Sequence, residues 1–460
     1  MEQARPRASV PLILRGSNLA HRPLMESTSP IRAKKSPISG LRWYIVGLLC
    51  LASELNYFDR QTLSVLAQTI QDDLHLTTVQ YADITSWFLI SYTVMYLVSG
   101  RIIDAIGVRW SFLIFVTGWS VATMLHGLAH TAAQLSGFRF LLGAMEAAII
   151  PGGMKAVSEW FPVRERILAT GIFNGGTSVG GALAAPVVAW IALTWGWREA
   201  FVFAGALGFI WVAAWLLIYR RPREHARLGA AELALIESDA AAAAPVVKVS
   251  LWQLLGMKTV WGCMLVRAVT DPFSYFILFW IPKYLQQERG FSLADIGKLS
   301  WIPFVGLALG NLTGGAAPAQ LMKLGWTYNR ARKTVIGISS VVIPICCLSI
   351  AQVPGAGVVL GLISVAVFFH AVWLNIALPS EVLPSHVVGT VTGAAGCLGG
   401  IAGIIAQQIT GWTVQNISFT PLFVVGSVLH LTAFAIVGLM VGKLGVMQPV
   451  GPARVAPAAA

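Results

Sequence analysis

Apolar stretches long enough to cross a membrane recur along the whole chain, at about 42–66, 82–104, 109–129, 133–157, 167–192, 199–219, 256–283, 296–322, 333–351, 355–378, 388–412 and 420–443. A helix needs about 20 such residues to span a bilayer, whereas a strand of a membrane barrel would show alternation in segments of about ten. The runs are continuous, so the spacing predicts an all-α polytopic membrane protein with twelve transmembrane helices. Composition supports this. Hydrophobic residues make up 56% of the 460 and charged residues only 11%. A soluble domain carries roughly 25% charged residues, so a chain of this length could not cover a water-facing surface with the charges present here.

Basic residues segregate by loop, and their placement predicts orientation. One face carries the N-terminal tail (eight basic residues from Arg5 to Arg42), Arg109, Arg164 and Arg166, Arg220 to Lys248, and Lys323 to Lys333; the other carries Arg198, Lys283, Arg289 and Lys298. Both termini are expected in the cytoplasm. The net charge of +12 then needs no nucleic acid to explain it. The expected organisation is a disordered basic tail (1–41, with Met25 a plausible start), a six-helix bundle (42–219), a cytoplasmic linker (220–255) with an AAAA run, a second six-helix bundle (256–443) and a disordered tail (444–460). The five cysteines lie in apolar stretches without metal-type spacing and read as small buried hydrophobes. His126, His130, His370 and His430 read as isolated structural residues. No phosphate-binding loop or catalytic triad is present, so the chain is expected to be neither an enzyme nor ATP-driven, and to need no metal or cofactor.

The two halves repeat. SEWFPVRERILATG (158–171) lies over SEVLPSHVVGTVTG (380–393) without a gap, matching Ser158 with Ser380, Glu159 with Glu381, Pro162 with Pro384 and Gly171 with Gly393. Both segments join the fourth and fifth helix of their half. A parallel duplication about an axis normal to the membrane describes a rocking transporter with a central site.

These motifs resemble the major facilitator superfamily. The stretch from Gly100 through Asp104 and Gly107 to Arg109 is similar to its gating loop between helices 2 and 3, with Ala105 where the family usually has Arg. Asn56-Tyr-Phe-Asp-Arg60, the run from Arg139 to Arg166 and the run from Gly171 to Gly180 resemble the anion:cation symporters, in particular the hexuronate and hexonate branch. The resemblance implies proton-coupled import of a sugar acid such as glucuronate, galacturonate or galactonate across a bacterial inner membrane by a monomer. Cys397 stands where many relatives carry a polar residue.

Seven ionisable residues fall inside spans: Glu54, Asp59, Arg60, Arg139, Glu146, Arg267 and Asp271. Each costs roughly 2.5–3.5 kcal/mol on insertion scales, so such residues face a cavity, pair, or mark a pathway. At 1.5 Å per residue, Asp59 and Arg139 lie at similar depth, and Asp59 and Arg60 are expected to meet Arg139 across the cavity, with Glu146 two turns deeper. Arg60 and Arg139 suit a carboxylate ligand; Asp59 and Glu146 suit proton coupling, a role the resemblance supports for all four. The competing reading is a static ion-pair network. Glu54 pairs with another helix or is a second proton site. Arg267 and Asp271, four apart, pair with each other or meet substrate. Tyr57, Tyr92, Asn174, Thr177 and, less firmly, Asn375 are expected either to bind sugar hydroxyls or to hydrogen-bond between helices. Gly175, Gly176, Gly180 and Gly181 are expected to let helices approach closely. Beside proton-coupled uptake stand an anion exchanger or exporter of other carboxylates or drugs and, more distantly, a membrane receptor or enzyme.

Overall fold

Among the described residues there are twelve long helices: α1 (Leu41–Val65), α2 (Thr78–Ile106), α3 (Val108–His126), α4 (Ala132–Trp160), α5 (Val163–Thr194), α6 (Trp197–Ile218), α7 (Lys258–Arg289), α8 (Ile302–Lys323), α9 (Tyr328–Gln352), α10 (Ala356–Leu374), α11 (Ser385–Asn416) and α12 (Thr420–Ile436). The computed structural model describes residues 38–238, 249–374 and 378–447; the expected tails up to residue 37 and from 448, the AAAA run with Lys248, and Asn375 lie outside the described residues. Eleven of these helices, several with a short neighbouring segment, are long and apolar enough to cross a membrane. The exception is α1, which is 25 residues long but carries Glu54, Asp59 and Arg60.

Most helices extend beyond the apolar stretches, because hydropathy marks the lipid core while the backbone stops only at a cap. Thr77, five residues before the expected start of the second span, forms a capping box with Gln80. Gly290 ends α7 in the left-handed conformation at φ 68°. Prolines account for two interruptions. Pro151 lacks the N–H that would bond to the Ala147 carbonyl, and α4 breaks at Ala147–Ala148, directly after Glu146. Pro303 likewise follows a break at Ser300–Trp301 that separates α8 from the short helix Leu293–Leu299.

The halves pack alike. In the first, α1 lies on α5, α2 on α4 and α3 on α6; in the second, α7 lies on α11, α8 on α10 and α9 on α12. The aligned prolines occupy equivalent places: Pro162 precedes α5 and Pro384 precedes α11, each as an extended N-cap. Between the halves, α2 lies along α11 and α5 meets α8.

The linker contributes the helix Ala230–Glu237. Its Glu232 accepts from the Leu41 and Arg42 backbone N–H groups (3.2 Å each) and pairs with the Arg42 guanidinium at 2.7 Å, capping the start of α1. Glu165 pairs with the same guanidinium at 2.9 Å.

Close helix contact on α1 depends on two of the four expected glycines. A Cβ at Gly180 would lie 2.0 Å from the Glu54 carbonyl oxygen, and one at Gly176 2.2 Å from that of Cys50. Gly181 instead meets the Phe304 ring, and Gly175 faces open space. Gly180→Ala should therefore lower stability by about 1–3 kcal/mol through overpacking, while Gly175→Ala should be near neutral. Thermal unfolding of the two variants in the same detergent checks this; equal midpoints would contradict it.

Candidate functional site

Between the halves lies a cavity of about 400 Å³, lined among others by Tyr57, Arg60, Tyr92, Tyr96, Arg267, Asp271, Ser274, Tyr275, His370 and Cys397. Its volume is in the range of small-molecule sites.

Arg60 forms the charged part of the first-half wall. Its Nε donates to Glu146 Oε2 at 2.6 Å, and the Glu146 side chain is fully buried. Tyr57, Phe88 and Tyr92 surround the guanidinium, with ring centroids 5.1, 5.2 and 4.7 Å from its carbon. The aromatic faces attract the cation and fix its plane beside the cavity. Gly143 allows this arrangement: a Cβ there would lie 2.3 Å from the Phe88 carbonyl oxygen, so α4 can bring Glu146 close to α2 and α1 only without a side chain.

The expected meeting of Arg60 with Arg139 across the cavity does not occur. Arg60 turns to Glu146, while Asp59, one residue earlier and so about 100° around the helix, points away from the cavity. Asp59 (2% exposed) and Arg139 (1% exposed) lie behind the wall, within electrostatic reach of each other and of Glu146. Among the described residues, none of the three Arg139 side-chain nitrogens has a hydrogen-bond partner, nor do Asp59 Oδ1 and Glu146 Oε1. The Arg139 guanidinium carbon lies 5.8 Å from the Phe88 ring centroid, so this ring has two buried cations near it. Two arginines and two carboxylates thus form one buried cluster, of which only Arg60 lines the cavity.

In the second half, Arg267 and Asp271 pair with each other: Nη2 to Oδ2 is 2.8 Å and Nε to Oδ2 is 3.0 Å. Both line the cavity. Glu54 is half-buried, and its carboxylate makes no ion pair among the described residues; the helix contact at this position is made by its backbone. Thr177 donates to the Asn174 carbonyl at 2.8 Å within α5, Asn174 is exposed, and neither is among the cavity-lining residues. In the gating loop, Asp104 pairs with Lys155 of α4, Arg109 donates to the Leu216 carbonyl at 2.9 Å, and Gly107 turns the chain at φ 80°. Gly100 has open space around it. With Ala105 in place of Arg, this loop is held within its own half.

Two features are absent from the sequence expectations. Lys283, read as a loop residue, is fully buried in α7, where it donates to Gln71 beside Tyr81. His370 and His430, read as isolated, are hydrogen-bonded to each other at 2.9 Å. No spacing rule joins residues 60 apart on different helices.

The halves are closed against each other on the face opposite the linker. Tyr81 Oη donates to the Phe279 carbonyl (2.7 Å), Ser64 Oγ to that of Leu278 (2.7 Å) and Gln408 Nε2 to Ser86 Oγ (2.8 Å). Gln407 Oε1 accepts from both Thr85 Oγ1 (3.0 Å) and Trp280 Nε1 (2.7 Å). On the linker face, no hydrogen bond or ion pair joins the halves among the described residues.

Two matched bundles, closed on one face around a central cavity with intramembrane charges, define a secondary carrier that works by alternating access. The Major Facilitator Superfamily model matches residues 49–407, and the chain belongs to that family. It is 34% identical over 400 residues to the hexuronate transporter of Escherichia coli (strain K12), covering 86% of this chain and 92% of that one. It is 36% identical over 289 residues to the galacturonate transporter of Dickeya chrysanthemi, covering 62% and 84%. Among solved structures, the inward-open xylose transporter XylE from E. coli shares the fold with a TM-score of 0.69 at 14% identity, covering 87% of this chain and 97% of that one. The protein is a membrane transporter and not an enzyme.

Gln407→Leu leaves the Thr85 hydroxyl and the Trp280 N–H without their shared acceptor, weakening the closed face by about 1–3 kcal/mol. Distances between spin labels at positions 79 and 415 should shift toward longer separations. An unchanged distribution would show that Gln407 does not hold this face shut.

Proposed function

We propose that this carrier takes up a sugar acid, a hexuronate before other carboxylates, together with protons. It does so across the bacterial inner membrane, with both termini and the linker in the cytoplasm. The observation that carries the reading is the buried cluster of Asp59, Arg60, Arg139 and Glu146. With both acids ionised the cluster is neutral. Each proton bound leaves one positive charge uncompensated beside the cavity, and a low-dielectric site then favours an anion. Protonating Glu146 also releases Arg60 from its pair and frees a planar fork for a substrate carboxylate. Proton and anion thereby bind as a neutral set, which suits them to cross together. The names of the relatives support the substrate class, and the basic loops on the linker face support the orientation. No cofactor enters this scheme, one chain suffices for it, and with the linker in the cytoplasm the closed opposite face fits a cytoplasm-facing state.

Adding galacturonate to right-side-out vesicles should make the external medium more alkaline. A strict need for an internal counter-anion, without proton movement, would indicate exchange instead. Glu146→Gln mimics the protonated acid. It should reduce proton-driven accumulation by at least about tenfold while substrate exchange between the two sides persists. Uptake that still responds to an imposed proton gradient as in the unaltered protein would remove Glu146 from the coupling role.

A further inference from the structure

The second half places a serine–histidine hydrogen-bond chain at the cavity that the coupling cluster does not use. Ser274, three residues beyond Asp271 on α7, lies 2.7 Å (Oγ) from His370 Nε2 on α10. His370 Nδ1 lies 2.9 Å from His430 Nε2 on α12, and His430 Nδ1 has no partner among the described residues. Ser274 and His370 both line the cavity; His430 lies behind them and is fully buried. Phe273 meets both imidazoles edge-on at 5.1 and 5.0 Å, and Trp373 meets His430 at 5.9 Å. No carboxylate bonds to either ring among the described residues. The aromatic packing suits a pair of neutral rings.

A neutral chain has two arrangements. In one, Ser274 donates to His370, His370 donates to His430, and the Ser274 oxygen accepts from a ligand. In the other, His430 donates to His370, His370 donates to Ser274, and the Ser274 O–H donates to a ligand. The chain can thus present either an acceptor or a donor to the cavity without any change in net charge. A sugar hydroxyl is itself both donor and acceptor, whereas a carboxylate only accepts and is better met by Arg60.

We propose that Ser274, positioned by the His370–His430 pair, is the subsite that reads a hydroxyl of the substrate, fixing which polyhydroxylated carboxylates the carrier accepts. This rests on the sugar-acid reading above and assigns the opposite wall of the cavity to the hydroxylated end of the ligand. Ser274 makes the contact; His370 and His430 are positioning residues.

The test is binding of D-galacturonate and its monodeoxy analogues to the purified full-length protein, followed by tryptophan fluorescence. One neutral hydrogen bond corresponds to a change of about fivefold. Ser274→Ala should raise the Kd for galacturonate by about that factor. It should leave unchanged the Kd of the one deoxy analogue that lacks the hydroxyl being read. Ser274→Thr, which keeps the hydroxyl, should bind within about twofold of the unaltered protein. His430→Phe should weaken galacturonate, and not that analogue, to a lesser degree. The subsite is overturned if Ser274→Ala binds galacturonate unchanged, or if it still discriminates every deoxy analogue as before. The positioning role is overturned if His430→Phe has no effect. Absence of any saturable galacturonate binding by the unaltered protein overturns the sugar-acid reading and the subsite together, and so separates that failure from failure of the subsite alone.

Discussion

The ion pair between Arg60 and Glu146 is the constraint that the first half is built around. A charge buried in a membrane span is tolerated only with a partner, and losing one partner strands the other. The pair therefore fixes α1 against α4 at one register. Gly143 lets α4 approach α2, the aromatic rings of Phe88 and Tyr92 hold the guanidinium in plane, and the break after Glu146 redirects α4 as soon as the carboxylate is placed. A proton on Glu146 would alter the interaction that sets this packing, so a local charge change has a route to helix position.

The duplicated scaffold carries different chemistry in its two halves. The same helix pairs pack in each, and the aligned prolines start equivalent helices. Yet the first half holds four clustered charges, while the second offers the internal Arg267–Asp271 pair and a serine–histidine chain. The two halves share their helix pairing, while different residues on α1 and α4 in one, and on α7, α10 and α12 in the other, make the cavity walls unlike.

Sequence reasoning reached the features that depend on local composition. Apolar runs located the helices, because lipid tolerates little else over 30 Å. The intramembrane charges stood out because each is costly where it lies. Failures came where phase or tertiary contact decides. Adjacent Asp59 and Arg60 leave the helix in different directions, so only one lines the cavity. Asn174 and Thr177 lie on a helix known to be near the site but outside its lining. Lys283 sits close enough to a span end to read as a loop residue, and only the packing of Gln71 and Tyr81 around it shows otherwise. His370 and His430 meet through the packing of α10 and α12, which no single-helix pattern encodes.

The distribution of bond strength suits a rocking machine. Among the described residues, each ion pair lies within one half or in or onto the linker: Asp104 with Lys155, Arg60 with Glu146, Arg198 with Asp73, Arg267 with Asp271, Arg332 with Glu381, Arg223 with Glu237, and Arg42 with Glu165 and Glu232. None crosses between the halves. There the contacts are hydrogen bonds in which at most one partner is charged, as between Gln408 and Asp83 or Lys283 and Gln71, and most are neutral amide, hydroxyl and carbonyl pairs. A neutral hydrogen bond exchanged for water changes free energy by only about 0.5–1.5 kcal/mol, whereas separating a buried ion pair costs about 3–5 kcal/mol. Each half can therefore keep its internal structure while the face between them opens. The difference between the two states is then small enough for a bound substrate to decide.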